Sequence, residues 1–436
     1  MLSAKTNKSI FKDKLFVLLK MSILFVFTIV TFFALLVGTY LLPNDKIKEN
    51  AYTAVESFNK EGTYYAPFFT SDTHISTSMR LDNFTDALIL NTAFDNSNNK
   101  NVFEKAVLNS RYNNGEDQIT SLEKKYTENT ENNVEYTRYW FGIYAVLKPL
   151  LTVFSYQSIR YINMVAIFAL LFLNVVLINK KLNIKYALAY FISILLCGVM
   201  IIPMSLQYTP IFVITLIASI IILLFYEKEK FKKFLPYMFL LIGCFAAYFD
   251  LLTSPLLTFG IPLIIVMLLR NKEKKYTIKE NIIFVIKNGI IWGLSYAMTY
   301  FSKWIIASIV LNRNEITTAW EQFTFRANMD ESSQFSRMET LKNNFDLYFN
   351  KFVLTFLVIY LIINLIVIIK NKHYKNVNYK NLIIFIGISV LPYLWYVVLT
   401  NHSSIHYWMT YRIQAITMMC ILSGISSFYD NKILSK

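Results

Sequence analysis

Residues 21–42 read MSILFVFTIVTFFALLVGTYLL, a run without a single charge. At about 1.5 Å rise per residue, a helix of this length covers a hydrocarbon core about 30 Å thick. Lys5, Lys8, Lys12, Lys14 and Lys20 precede the run. It is longer than the apolar core of a secretory signal, and no convincing small-residue cleavage motif follows it. We read it as a retained signal-anchor helix. Nine further apolar runs lie at about 158–178, 186–204, 208–226, 234–250, 254–270, 284–306, 352–370, 381–400 and 412–428. Backbone in hydrocarbon must satisfy its own hydrogen bonds, so helices are the expected form. The expected fold is an all-α polytopic membrane protein with about ten transmembrane helices.

Composition agrees with this. Of the 436 residues, 55% are hydrophobic and 16% are charged, whereas a soluble domain carries roughly a quarter charged residues. The formal net charge of +15 invites a nucleic-acid reading, but the basic residues sit in short clusters between apolar runs and form no basic aromatic groove. With the N-terminus inside, the inner loops contain Lys180-Lys181-Leu182-Asn183-Ile184-Lys185, Lys228 to Lys233, Arg270 to Lys279 and Lys370 to Lys380. The short outer loops near Pro203–Tyr208, Asp250–Ser254 and Asn401–Tyr411 contain no Lys or Arg. The positive-inside rule therefore selects N-in and C-in. Cys197, Cys244 and Cys420 each lie in an apolar run and read as small buried hydrophobes.

The chain then divides into a cytoplasmic N-terminus (1–20), the first span (21–42), a large extracytoplasmic loop (43–157), spans two to seven (158–306), a second outer loop (307–351), spans eight to ten (352–428) and a cytoplasmic tail (429–436). The first loop is more acidic than basic. It ends in the aromatic stretch Tyr139 to Leu150, expected to lie as a helix at the membrane interface with Trp140 and Tyr144 at headgroup depth.

Ionisable residues near spans are costly and therefore informative. In Arg80-Leu81-Asp82-Asn83-Phe84-Thr85-Asp86, the two acids are four apart and would share one helical face. One carboxylate can act as a general base while the other orients it or holds a cation. Asp82 is equally suited to cap a helix. Asp250 closes the fifth span and Lys303 lies near the outer end of the seventh. Asp250 can also cap the following helix, and Lys303 can snorkel to the headgroups. The stretch Asn401-His402-Ser403-Ser404-Ile405-His406-Tyr407-Trp408-Met409-Thr410-Tyr411-Arg412 holds two of the four histidines and an arginine. Arg offers a planar fork to phosphate, and protonated His can donate. The His pair alone makes a poor zinc site, since there is no HExxH and no evident further ligand. Trp408 and the tyrosines also suit a plain interfacial loop. Arg160 and Tyr139 are candidates to line the same cavity, or to anchor singly at the interface.

Outside the cytoplasm, activated sugar donors are carried on lipid phosphates. An outward site with carboxylates and cations suits displacement at the anomeric carbon: a base on the acceptor hydroxyl, cations on the leaving phosphate, and inversion as the outcome. The layout resembles the C-type (GT-C) membrane glycosyltransferase superfamily: one span, a large first outer loop with acids and an interfacial helix, many spans, and a further loop after the seventh. That resemblance implies a polyprenyl-phosphate donor, a cell-surface glycan acceptor and a catalytic aspartate in the first loop, at Asp82 or Asp86. Lys303, His402, His406 and Arg412 would then hold the phosphate, with Asp250, Arg160 and Arg80 supporting. The adjacent acidic pair close to the first span, usual in that superfamily, is absent here. The Leu81–Asp86 and Asn401–Arg412 stretches are also similar to bacterial multi-span proteins of surface-glycan loci. The expected location is the plasma membrane, with the site outside. The residues require no particular cofactor, although a divalent cation fits paired acids. A lipid-linked sugar flippase, a transporter and a polysaccharide polymerase or ligase are the competing readings. The first two need a polar path to the cytoplasmic side, and the inner halves of the spans carry few charges. The third usually has its large outer loop late in the chain.

Overall fold

The computed structural model describes residues 2–68, 77–97, 99–273, 276–328, 335–372 and 379–428. The tail at 429–436 and parts of the basic loops near 274–275 and 373–378 lie outside the described residues. Described secondary structure is helical, apart from one isolated bridge between Arg111 and Val134. Helix α1 (Leu2–Thr39) carries most of the first apolar run and stops before Pro43. Helices α2 (Asn44–Glu61), α3 (Asn83–Ala93), α4 (Val102–Leu108) and α5 (Gln118–Thr127) build the first loop domain, and α6 (Tyr144–Leu151) leads out of it. The chain continues through α7 (Tyr156–Lys181), α8 (Ile184–Leu195), α9 (Thr209–Phe225), α10 (Glu229–Phe249), α11 (Leu257–Glu273) and α12 (Ile278–Leu311). The second loop holds α13 (Glu315–Arg326) and α14 (Arg337–Tyr348). Last come α15 (Lys351–Lys370), α16 (Tyr379–Ser389), α17 (Leu391–Val398), the short α18 (Thr400–Ile405) and α19 (Tyr407–Thr410), and α20 (Ala415–Ser427).

Five helices are long and apolar enough to cross a membrane: Lys12–Thr39 within α1, α7, α10, α12 and α15. On four of them large apolar side chains face outward with nothing over them, as at Phe27, Val165, Ile309 and Phe352. Such an exterior suits lipid and not water. Helix α11 is the opposite case, buried along its length from Leu257 to Arg270. Helix α10 lies close against α12 because Gly243 has no side chain: a Cβ there would stand 2.1 Å from the Ser295 hydroxyl, the small-residue contact by which apolar helices approach.

Helices occupy all ten apolar runs, but two of the runs are interrupted. The 186–204 run breaks after α8, where Gly198 adopts φ +72°, and resumes as a 3-10 turn over Ile202–Met204. The 381–400 run divides between α16 and α17, ahead of Pro392. Proline lacks an N–H and clashes with the preceding turn, so both interruptions have local causes.

Buried charges tie the loop domain to the bundle. Arg160, at the start of α7, donates to both Glu61 carboxylate oxygens at 2.6 and 3.0 Å and to Asn83 at 3.2 Å. Within the loop domain, Lys125 donates to the carbonyls of Asn91 and Phe94, at the C-terminal end of α3; across to the bundle, Asp86 accepts from the Leu206 and Gln207 amides. Trp140 and Tyr144 do not face outward, as the interfacial helix expected from the sequence would have them. Both are buried, the indole donating to the Thr299 carbonyl at 2.7 Å and the phenol to that of Ile89 at 3.1 Å. Val146, Val153 and Phe154 are the exposed apolar groups there. The loops after α7, α9 and α11 meet at one end of the bundle, where Lys181 pairs with Glu227, Lys232 with Glu273, and Lys272 donates to the Lys181 carbonyl.

Arg160 is almost wholly buried, and breaking a buried ion pair costs about 3–5 kcal/mol. Arg160→Met should therefore lower the midpoint of thermal unfolding in detergent markedly. The double variant Glu61→Gln/Arg160→Met should recover part of that loss, because no charge is then left alone.

Candidate functional site

The two loop acids share a helix but differ in how fully their oxygens are used. Asp82 is the N-cap of α3, accepting from the Thr85 amide at 3.1 Å and the Thr85 hydroxyl at 2.9 Å. These bonds take one donor per oxygen. Asp86 accepts four: the Tyr156 hydroxyl at 2.8 Å, the Ser205 hydroxyl at 3.0 Å, and the amides of Leu206 and Gln207 at 2.9 and 3.2 Å. It satisfies the backbone just ahead of α9 and has little capacity left for a substrate proton. Asp82 retains that capacity. Burial, with a smaller contribution from the Asp86 charge, pushes its carboxyl up to about 6, against the two Thr85 bonds and the Arg80 charge. A base poised near the working pH is the useful kind.

The proposed phosphate ligands separate in a similar way. Lys303 is fully buried and donates to the Ala106 and Val107 carbonyls at 3.3 and 2.9 Å, so it caps the C-terminal end of α4 as a cation should. Arg412 donates to the carbonyls of Cys197 at 2.9 Å and Trp408 at 2.9 Å, with longer contacts to Met409 and Ser78 at 3.4 Å. Its guanidinium lies over Tyr208 at 4.2 Å. The Cys197 carbonyl is one that the break after α8 leaves without a helical partner. Arg412 thus braces the segment that carries Asp82 and does not face an open site. Arg160 is held by Glu61, as described above. Asp250 caps the turn after α10, accepting from the Thr253 amide and hydroxyl, and its carbonyl accepts from Tyr300.

The two histidines lie together, ring centroids 4.9 Å apart. Arg326 donates to His402 Nδ1 at 2.6 Å, so the proton lies on Nε2, which donates to the Leu252 carbonyl at 2.7 Å. Burial holds His402 well below the ordinary imidazole range and lowers His406 to about 4, with Arg326 adding to both shifts. Both rings are neutral at pH 7, which removes them as cationic ligands. His402 instead orients Arg326.

Arg326 escapes a reading of the sequence. It ends an amphipathic loop helix and is followed by Asp330 and Glu331, which make it look like an ordinary solvated charge. Its neighbourhood is a cavity of about 390 Å³ at the loop-domain end of α12, with walls that include Tyr139, Trp304, Phe323 and Trp395. Arg138 and Arg326 both line it, and the buried Trp395 Nε1 has no hydrogen-bond partner among the described residues. A chain of ring contacts leads away from it: His402 to His406, His406 to Trp408 at 5.4 Å, Trp408 to Tyr64 at 5.7 Å. Arg80 lies over both Trp408 and Tyr64 at 4.8 Å, beside Asp82. Of the residues singled out in the sequence, the structure thus brings Asp82, Arg80, His402 and His406 into one connected strip and commits Asp86, Lys303, Arg160 and Arg412 to internal bracing. Among the described residues no group of three or more His, Cys, Asp and Glu gathers to hold a metal ion.

No family model, curated protein or solved structure matches this chain.

The two acids should separate on mutation. Asp86→Asn places an amide hydrogen among four donors and should cost about 1–3 kcal/mol, read as a lower unfolding midpoint. Asp82→Asn should behave differently with pH. The raised carboxyl means that the folded state holds a proton that the unfolded state releases, so wild-type stability falls as pH rises from about 4 to about 6. The unfolding midpoint of Asp82→Asn minus that of wild type should increase across that window. A flat difference would show that Asp82 is not buried as described.

Proposed function

We propose that this protein is a membrane glycosyltransferase that moves a sugar from a polyprenyl phosphate to a cell-surface glycan or related acceptor outside the cytoplasm. The observation that carries the reading is the aromatic cavity beside α12 with Arg138 and Arg326 on its wall, joined through the two histidines and Trp408 to Asp82. An isoprenoid chain fits the aromatic wall, and its phosphate meets the guanidinium that His402 orients. The chain crosses the plasma membrane about ten times with both termini in the cytoplasm, the five long apolar helices being supplemented by the shorter and broken ones. The clustering of Lys181, Lys232 and Lys272 at the end opposite the loop domain supports that orientation.

In the reaction, Asp82 accepts the proton of the acceptor hydroxyl while its oxygen bonds to the anomeric carbon. The bond from that carbon to the phosphate oxygen breaks, and the polyprenyl phosphate leaves with the electron pair. Arg326 and Arg138 balance the charge that develops on it. Attack opposite the leaving group inverts the anomeric centre. The broken helices fit this role as they would fit transport, but the strip that joins Asp82, Arg80 and Arg326 lies at the loop-domain end of the bundle, which favours a surface reaction.

The test uses the full chain in nanodiscs with a panel of polyprenyl-phosphate hexoses, reading release of polyprenyl phosphate in the presence of cell-wall acceptor. Asp82→Asn should reduce turnover by about 10²–10⁴-fold, the usual contribution of a general base, with folding intact. Arg326→Met should mainly raise the KM for donor. Undiminished turnover in Asp82→Asn refutes the assignment.

A further inference from the structure

Arg80 is the most conspicuous polar group that the bracing network leaves over. Its backbone is fixed on every side: Leu81 N–H donates to the Tyr65 carbonyl at 2.7 Å, Asn83 N–H to that of Thr63 at 3.0 Å, and the Tyr208 hydroxyl to the Arg80 carbonyl at 3.3 Å. Among the described residues its side chain has no hydrogen bond or ion pair, and its Nε is buried without a partner. The guanidinium carbon lies 4.8 Å from the ring centroids of both Tyr64 and Trp408, which stand edge to face at 67°. Both rings pack against the guanidinium, and its N–H groups have no protein acceptor among the described residues. On the next rings along the strip, Trp408 Nε1 and His406 Nδ1 are buried and lack partners among the described residues.

Leaving one buried donor unsatisfied costs about 1–3 kcal/mol, and here three side chains in successive contact each carry a buried nitrogen without a partner among the described residues. Two of them, the guanidinium and the indole N–H, can only donate, and the imidazole nitrogen donates in one tautomer. A fork of N–H groups with a further N–H alongside is complementary to a planar or tetrahedral oxyanion, more than to a neutral hydroxyl. The aromatic sides suit a flat apolar face such as that of a pyranose. Arg326 lies beyond His406, on the donor side of the strip, so the two arginines flank the histidine.

We infer that Arg80, Trp408 and His406 form an acceptor subsite that binds an oxyanion, a carboxylate or phosphate, carried by the glycan that receives the sugar. This rests on the transferase reading for the word acceptor, but not for the binding itself. An anion at Arg80 also draws the guanidinium away from Asp82, leaving the carboxylate less compensated and a better base.

Binding is measured without any donor lipid, on the full chain in phosphatidylcholine nanodiscs. Saturation-transfer NMR follows sodium glucuronate and methyl glucoside, and ³¹P line width follows inorganic phosphate. Glucuronate should bind and methyl glucoside should bind at least tenfold more weakly. Arg80→Met should weaken glucuronate at least tenfold, and Trp408→Phe, which keeps a ring and removes the N–H, should weaken it severalfold. Arg326→Met should leave glucuronate binding unchanged. Phosphate binding that survives Arg326→Met but falls with Arg80→Met assigns the site to phosphate as well; phosphate binding lost only with Arg326→Met restricts it to carboxylates. Glucuronate binding unaffected by Arg80→Met and Trp408→Phe, or equal binding of the neutral glucoside, overturns the proposal. Turnover lost in Asp82→Asn with glucuronate binding unaffected by Arg80→Met would sink this inference and keep the transferase. The reverse pattern would keep the subsite and sink the transferase.

Discussion

A helix that breaks inside an apolar bundle releases N–H and C=O groups that no water can reach, and each must find a partner or destabilise the fold. That constraint organises this molecule. The break after α8 leaves the Cys197 carbonyl, which Arg412 takes. The chain ahead of α9 presents the amides of Leu206 and Gln207, which Asp86 takes. The short loop helices α3 and α4 end on carbonyls capped by Lys125 and Lys303. The turn after α10 exposes the Leu252 carbonyl, which His402 takes. In each case a charged or polar side chain from a distant part of the sequence replaces the missing helical partner. Two of them, those of Asp86 and Lys303, also fasten the loop domain to the helical bundle.

Because so many ionisable side chains are committed in this way, those left uncommitted stand out. Asp82 keeps an open side on each oxygen. Arg80 packs against two rings and has no acceptor among the described residues. Arg326 is oriented by a neutral histidine beside an aromatic cavity. They come from the first loop, the second loop and the segment before α20, and they meet because the braces draw those segments together. A site built so depends on its scaffold: loosening Arg412 or Asp86 would displace Asp82 without touching it.

Much of the architecture is legible in the sequence because apolar runs and basic loops are strong one-dimensional signals. The helical class, the position of each apolar helix and the two long polar segments between them follow from these signals, and the capping of α3 by Asp82 is readable from Asp82-Asn83-Phe84-Thr85. The site is less legible. Lys303 and Arg412 look like phosphate ligands in the sequence because nothing there reveals which carbonyls a broken helix will free. Trp140 and Tyr144 look interfacial because aromatic residues at a loop end usually are, whereas here the loop domain folds over them. Arg326 looks solvated because acids follow it. Each of these misreadings concerns a partner far away in sequence.

The most direct measurement is an experimental map of the protein in lipid nanodiscs with bound polyprenyl phosphate. The phosphate should lie within ion-pair reach of Arg326, in the aromatic cavity beside α12, on the same side as Asp82. A phosphate found instead at the lysine-rich end, near Lys181 and Lys232, or at no fixed place, would contradict the catalytic reading and leave only the braced membrane fold.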